Sequence, residues 1–254
     1  MHNIKDILQT FSPITLDEMD EKKLMNRTDT KYVFPESQLP EFLEQLKDDY
    51  RVLDVNGVRM SRYESLYFDT ENFDLFHKHQ RGKMNRHKVR YRKYVESDLN
   101  FFEIKFRSNK GRTIKKRVKQ DAIEEKIQNT AEVFLHKRTS MRSSDLLPQF
   151  WANYSRITLV NNNLPERVTL DLNLQFKKDD AEYDFADLVI AEVKQKKLTT
   201  SSFWKLMKKY HVRQGSVSKY CLGVIRLNND IKHNNFKPNL RNINKILYGT
   251  SSGA

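Results

Sequence analysis

The sequence predicts an α+β chain in which about eight strands alternate with amphipathic helices. Three observations predict it. Period-two alternation recurs and sets a charged face against an apolar one. Between those stretches, apolar residues fall at helical spacing. Residues 86–118, RHKVRYRKYVESDLNFFEIKFRSNKGRTIKKRV, read as three consecutive strands whose charged faces are mainly basic.

Taken in order, residues 4–11 suit a short helix. Residues 27–34 alternate as a strand with Arg27, Asp29 and Lys31 on one face, and Pro35 ends it. A helix is predicted over 37–50, where Leu39, Phe42, Leu43 and Leu46 fall at i, i+3, i+4 and i+7. Ser37 is its expected N-cap, and Pro40 sits in the first turn, where proline is tolerated. Strands follow at 51–55 and 62–69. Asp69 or Thr70 is placed to cap a helix running to Arg81, with Gly82 as its stop. On the strand at 86–94, Arg86, Lys88, Arg90 and Arg92 share a face. On the strand at 101–107, Glu103, Lys105 and Arg107 oppose Phe102, Ile104 and Phe106. Ser108-Asn109-Lys110-Gly111 makes a hairpin turn into 113–119, where Thr113, Lys115, Arg117 and Lys119 line up. Helices are predicted at 120–137 and 144–154, a short strand at 156–160, and a turn at Asn161-Asn162-Asn163. Residues 166–176 alternate cleanly: Val168, Leu170, Leu172, Leu174 and Phe176 against Arg167, Thr169, Asp171, Asn173 and Gln175. A strand at 188–196 groups Glu192, Lys194 and Lys196. Ser201 or Ser202 caps a helix carrying Phe203, Leu206, Met207 and Tyr210. A last strand, 216–227, carries Ser218 and Lys219, and a final helix spans 240–248.

Two architectures satisfy these faces. An open antiparallel sheet would leave the polar side in water. A closed barrel would turn the apolar faces outward under the helices and line a channel with charge. Stacked cationic rows repel each other by roughly 0.2–1 kcal/mol per facing pair, so a chain built this way either spreads them in water or holds a polyanion against them. Each basic cluster also carries an isolated carboxylate: Asp29, Glu103, Asp171 or Glu192. In a channel, arginine forks and lysine charges would hold phosphates, and a carboxylate would share Mg²⁺ or Mn²⁺ with them.

The totals agree with an anionic partner. The 254 residues include 46 basic and 33 acidic ones, a formal net charge of +13. Cys221 is alone, so no internal disulfide forms, and no apolar run suits a signal peptide or a membrane helix; the expectation is a cytoplasmic protein. Seven glycines build neither a P-loop nor a Rossmann fingerprint. His77, His79 and His87 with Cys221 lack a zinc spacing. The Ser218-Lys219 pair and the Lys194–Lys197 run are common incidental patterns, and nucleic acid is not the expected partner.

The series Arg27-x-Asp29-x-Lys31-Tyr32, Ser65-Leu66-Tyr67-Phe68-Asp69-Thr70, Val89-Arg90-Tyr91-Arg92-x-Tyr94 and Phe102-Glu103-Ile104-Lys105 resembles the VTC domain, the polyphosphate polymerase domain of the triphosphate tunnel metalloenzyme (CYTH-like) superfamily. The likeness continues through Lys115-x-Arg117, Arg167-Val168-Thr169-Leu170-Asp171, Ala191-Glu192-Val193-Lys194 and Ser218-Lys219-Tyr220. It implies a domain over 27–227, between an N-terminal segment, 1–26, and a tail, 228–254. It also implies an eight-stranded antiparallel tunnel β-barrel with helices outside, and transfer of the γ-phosphate of ATP or another nucleoside triphosphate onto inorganic polyphosphate with Mn²⁺ or Mg²⁺. By matching position, Lys31, Arg90, Arg92, Lys105 and Lys219 would act on the transferring group. Arg27, Lys115, Arg117, Arg156, Arg167, Lys194 and Ser218 would bind the other phosphates. Glu192 would be the main metal ligand, supported by Glu103 and Asp171. Ser216 stands where the eukaryotic polymerase carries a further lysine. The alternatives are a triphosphatase on the same fold and a non-catalytic module binding polyphosphate or nucleic acid.

Overall fold

The computed structural model describes residues 3–21 and 27–249. Its elements are α1 (Ile4–Gln9), β1 (Pro13–Ile14), α2 (Leu16–Glu21), β2 (Thr28–Pro35), α3 (Leu39–Leu46), β3 (Tyr50–Leu53), β4 (Ser61–Asp69), α4 (Asp74–Gln80), β5 (Arg86–Tyr94), β6 (Leu99–Arg107), β7 (Thr113–Gln120), α5 (Asn129–Arg138), β8 (Leu147–Asn161), β9 (Glu166–Lys178), β10 (Ala181–Phe185), β11 (Leu188–Gln195), α6 (Ser202–Lys209), β12 (Gln214–Gly215), α7 (Lys219–Leu227) and α8 (Lys237–Tyr248). The strands form one sheet in the order β12-β2-β11-β9-β8-β4-β5-β6-β7, with β3 and β10 added on β8 and β9. Every pairing is antiparallel except β1 with β3. This is the expected α+β architecture. The sheet curls until its two ends share a cavity: Lys105 on β6 feels the charges of Lys31 and Asp29 on β2 and of Glu192 on β11. Among the described residues no ladder joins β7 to β12 or β2, so the tunnel keeps an open seam.

Helices cover the outer, apolar face. Tyr32, Phe34, Ile157, Leu159, Val168, Leu170, Leu172, Val189, Ala191 and Val193 are buried with α1, α3 and α6. Leu66, Phe68, Val89, Tyr91, Phe102 and Ile104 are buried with α5. The inner face is divided. One part carries the charges; on the other, Val33, Tyr63, Tyr67, Phe150, Ala152, Tyr154 and Ile190 pack on α7 and α8. The expectation that apolar side chains all point outward is corrected here. Much of the interior is an aromatic core plugged by α7.

Four element predictions are also corrected. The helix expected over 120–137 is only α5; before it, the Asp121 and Lys126 carbonyls accept bonds from the Asn100 side chain and the Tyr91 hydroxyl, and Asn129 is left-handed at φ 53°. The helix expected at 144–154 is the first half of β8, where Phe150, Ala152 and Tyr154 face inward at period two between β4 and β9. The strand expected at 216–227 is α7, whose Ser218 caps the Cys221 N–H at 3.2 Å. Ser37 lies in a 3₁₀ turn, not at the cap of α3. The clean alternation of β9 is broken at Asn173 (φ 51°), where the register with β8 shifts. That bulge sends Leu172 outward and Leu174 and Phe176 to the inner aromatic core.

Candidate functional site

Strand register alone assembles most of the site. Neighbouring strands place Arg90 beside Glu103 and Glu103 beside Arg117; Lys31 beside Glu192; Arg156 beside Asp171. The side chains close into three nodes, each a carboxylate held by two cations. The Arg90 guanidinium donates to Glu103 Oε2 at 2.6 and 2.9 Å, and Lys115 pairs with Oε1. Arg156 grips both oxygens of Asp171 at 2.5 and 2.8 Å, and Lys219 adds a third contact. Lys31 and Lys194 hold Glu192 at 2.8 and 3.2 Å. Arg92 is buried and donates to Ser65 Oγ at 3.1 Å. The cations rest on the aromatic core: Arg156 lies over Tyr63 and Tyr154, Arg92 over the same two rings, and Lys219 over Tyr154 at 4.5 Å.

These pairings set the protonation. Burial works against charge on Glu192, Glu103 and Asp171. It loses in each case: Lys194 and Lys31, Arg90 and Arg92, and Arg156 and Lys219 hold the respective carboxyls well below the usual range. Burial pushes the lysines the other way. Lys194 falls to about 8, as does Lys88, while Lys105 and Lys219 fall in the same direction. Each node sets one carboxylate against two cations and so keeps a positive surplus.

No group of three His, Cys, Asp or Glu that could hold a metal is found among the described residues. Both oxygens of Glu103 and of Asp171 face cations, and their side chains are 2% and 5% exposed. Glu192 also has a lysine at each oxygen, but at 19% exposed it is the most open of the three and the carboxylate that would hold a hydrated Mg²⁺ or Mn²⁺.

The structure thus brings Lys31, Arg90, Arg92, Lys105, Lys115, Arg156, Lys194, Lys219, Glu103, Asp171 and Glu192 to one cavity. Other expected residues lie at its margin. Arg27 is exposed and pairs with Asp29 at 3.0 Å, Arg117 is exposed over the Phe101 ring at 4.2 Å, and Arg167 donates to the Met19 carbonyl at 3.0 Å. Ser218 and Lys219 arrive from the start of α7, not from a strand. Sequence reasoning assigned no role to Lys88, whose ammonium lies 2.7 Å from Ser218 Oγ, or to Tyr67, whose hydroxyl accepts from Arg90 at 2.8 Å. The signal for Lys88 was its place on the Arg90–Arg92 face.

Comparison with known proteins agrees with this geometry. The VTC domain family matches residues 26–228. No curated protein matches the chain. A Hippeastrum protein, described as a candidate adenylyl cyclase with a dominant triphosphatase activity, has a similar structure (TM-score 0.51, 13% identity, 78% of this chain and 95% of that one). A candidate adenylate cyclase from Vibrio parahaemolyticus is also similar (TM-score 0.46, 13% identity, 78% and 99%). At such identity the Hippeastrum likeness speaks for the fold alone. The match over residues 26–228, most of the chain, places it in the VTC domain family.

Proposed function

We propose that the protein is a divalent-cation-dependent phosphotransferase that passes the γ-phosphate of ATP, or another nucleoside triphosphate, to a polyphosphate chain in its tunnel. The observation that carries this reading is the convergence of lysine and arginine side chains from β2, β5, β6, β7, β8, β11 and α7 on one cavity, where, among the described residues, they outnumber the carboxylates they pair with two to one. Phosphoryl transfer asks mainly for positioning and charge neutralisation, which such a cavity supplies. In this reading Lys31, Arg90, Arg92, Lys105 and Lys219 bracket the transferring group. Lys115, Arg156, Lys194 and Ser218 orient the remaining phosphates, with Arg27, Arg117 and Arg167 at the margin. Glu103 and Asp171 hold the arginines and lysines in place until phosphate displaces them. Mg²⁺ or Mn²⁺ at Glu192 would add positive charge beside the phosphates when bound.

Incubation with ATP and either cation tests this. Polymer resolved on a gel supports transfer to polyphosphate. Free phosphate without polymer supports the second reading, a triphosphatase using water as acceptor, the activity described for the Hippeastrum protein of similar fold. Salt-sensitive polyanion binding with neither product would make the chain a binding module.

A further inference from the structure

Not every cation in the tunnel has an acid. Beyond the three nodes, β5 and β6 pair Arg86 with Arg107 and Lys88 with Lys105. Among the described residues none of these four makes an ion pair. Their polar contacts are with neutral groups: Lys88 with Ser218 Oγ at 2.7 Å, Arg86 with the Lys83 carbonyl at 2.7 Å, and Arg107 with Thr113 Oγ1 at 3.0 Å. Lys105 faces Glu192 across the lumen without touching it. Lys88 feels the charges of Lys105 and Arg86, and the half-buried His79 beside them feels all three. Facing like charges destabilise a sheet. Elsewhere in this tunnel carboxylates bond directly to the cations; here, among the described residues, none does, and Lys105 feels Glu192 and Asp29 only at a distance.

We propose that Arg86 and Lys88, on β5 beside the start of α7, form a second anion subsite that adjoins Lys105 and binds phosphate groups beyond those held at the three nodes. The inference rests on the polyphosphate reading of the same tunnel and deepens it. The phosphates have two possible sources: distal units of a chain longer than triphosphate, or free orthophosphate. Lys88 is the central member, because its ammonium reaches Ser218 at the start of α7 while its ladder partner on β6 is Lys105.

The test compares wild type with Lys88→Met, which keeps the alkyl stem and removes the charge, and with Arg86→Ala. Affinities for tripolyphosphate, long-chain polyphosphate and orthophosphate are measured without metal at several salt concentrations. Lys88→Met is expected to raise the thermal midpoint of the free protein, since a repelled charge is gone. It is expected to weaken long-chain binding about tenfold and tripolyphosphate binding by less than about threefold, and to lower the salt slope by about one. Arg86→Ala follows in the same direction. If orthophosphate protection is lost in Lys88→Met while long-chain affinity is kept, the subsite takes free phosphate. Wild-type affinity for all three ligands in both variants, or equal loss for tripolyphosphate and long chains, overturns the subsite and leaves the proposed reaction standing. Long-chain binding with the predicted variant effects, but neither polymer nor phosphate from ATP, overturns the reaction and leaves the subsite standing.

Discussion

Glu192 and Asp171 are both ion-paired acids, yet their surroundings set opposite expectations for their amides. Glu192 occupies two lysines that a phosphate would otherwise engage. Glu192→Gln should free them, so metal-free tripolyphosphate binds more tightly, while ATP turnover falls by roughly 10²-fold and loses its cation dependence. Calorimetry and a phosphate-release assay read the two effects; weaker metal-free binding would contradict the role given to the lysines. Asp171 is nearly sealed and bonds Arg156 through both oxygens. Asp171→Asn strands two buried cations and should cost about 3–5 kcal/mol of stability in urea titrations, with part of it recovered by tripolyphosphate. The residue types at these positions were legible from period-two spacing. Their sharing of one carboxylate between two cations was not, because it needs strands far apart in the chain.

Among the elements, α7 matters most to the site. It brings Lys219 to Asp171 and Ser218 to Lys88, and it packs Tyr220 against Asp69. Gly223 lets it lie close to β8: a methyl there would fall within the Phe150 ring. Gly223→Ala should destabilise the fold by about 1–3 kcal/mol through overpacking and weaken tripolyphosphate binding, because α7 must back away with Lys219. Differential scanning calorimetry and a binding titration check this; unchanged affinity would mean that the position of α7 does not govern the site. The sequence 216–227 misled because Tyr220, Leu222 and Val224 alternate like a strand, yet Tyr220, Cys221, Val224 and Ile225 also suit a buried helix face. Helix burial on more than one side erases the periodicity that would separate the two. The bulge at Asn173 was equally hidden, since an asparagine between leucines looks like ordinary alternation.

At the scale of the whole molecule, protonation links stability to function. The depressed carboxyls of Glu103, Asp171 and Glu192 stabilise the fold above the unfolded values near 4, and that stability drains away as pH falls through their folded values. Lys88 acts at the other end. Its folded value of about 8 lies below the unfolded 10.5, so between those limits the unfolded chain carries the extra proton and this group makes stability rise with pH. Phosphate binding opposes the shift. Long-chain polyphosphate should therefore take up protons when it binds near pH 8, and its affinity should fall as pH climbs past that point. Titration calorimetry in two buffers of different ionisation enthalpy measures the uptake; identical heats after correction for binding would argue against a titrating lysine in the tunnel.

The sequence by itself determined which side chains share a strand face, and so that β5, β6 and β7 carry basic rows opposite apolar ones; alternation is a local property and needs no partner. It also determined the surplus of basic side chains, because +13 of formal charge survives any folding. Only the tertiary structure decided where the apolar part of the inner face begins, which cations keep a carboxylate and which do not, and that the residues around Ser218 enter as a helix. Those depend on register shifts and long-range packing, where a single bulge or a close Gly–Phe contact moves a whole face, and no local pattern records them.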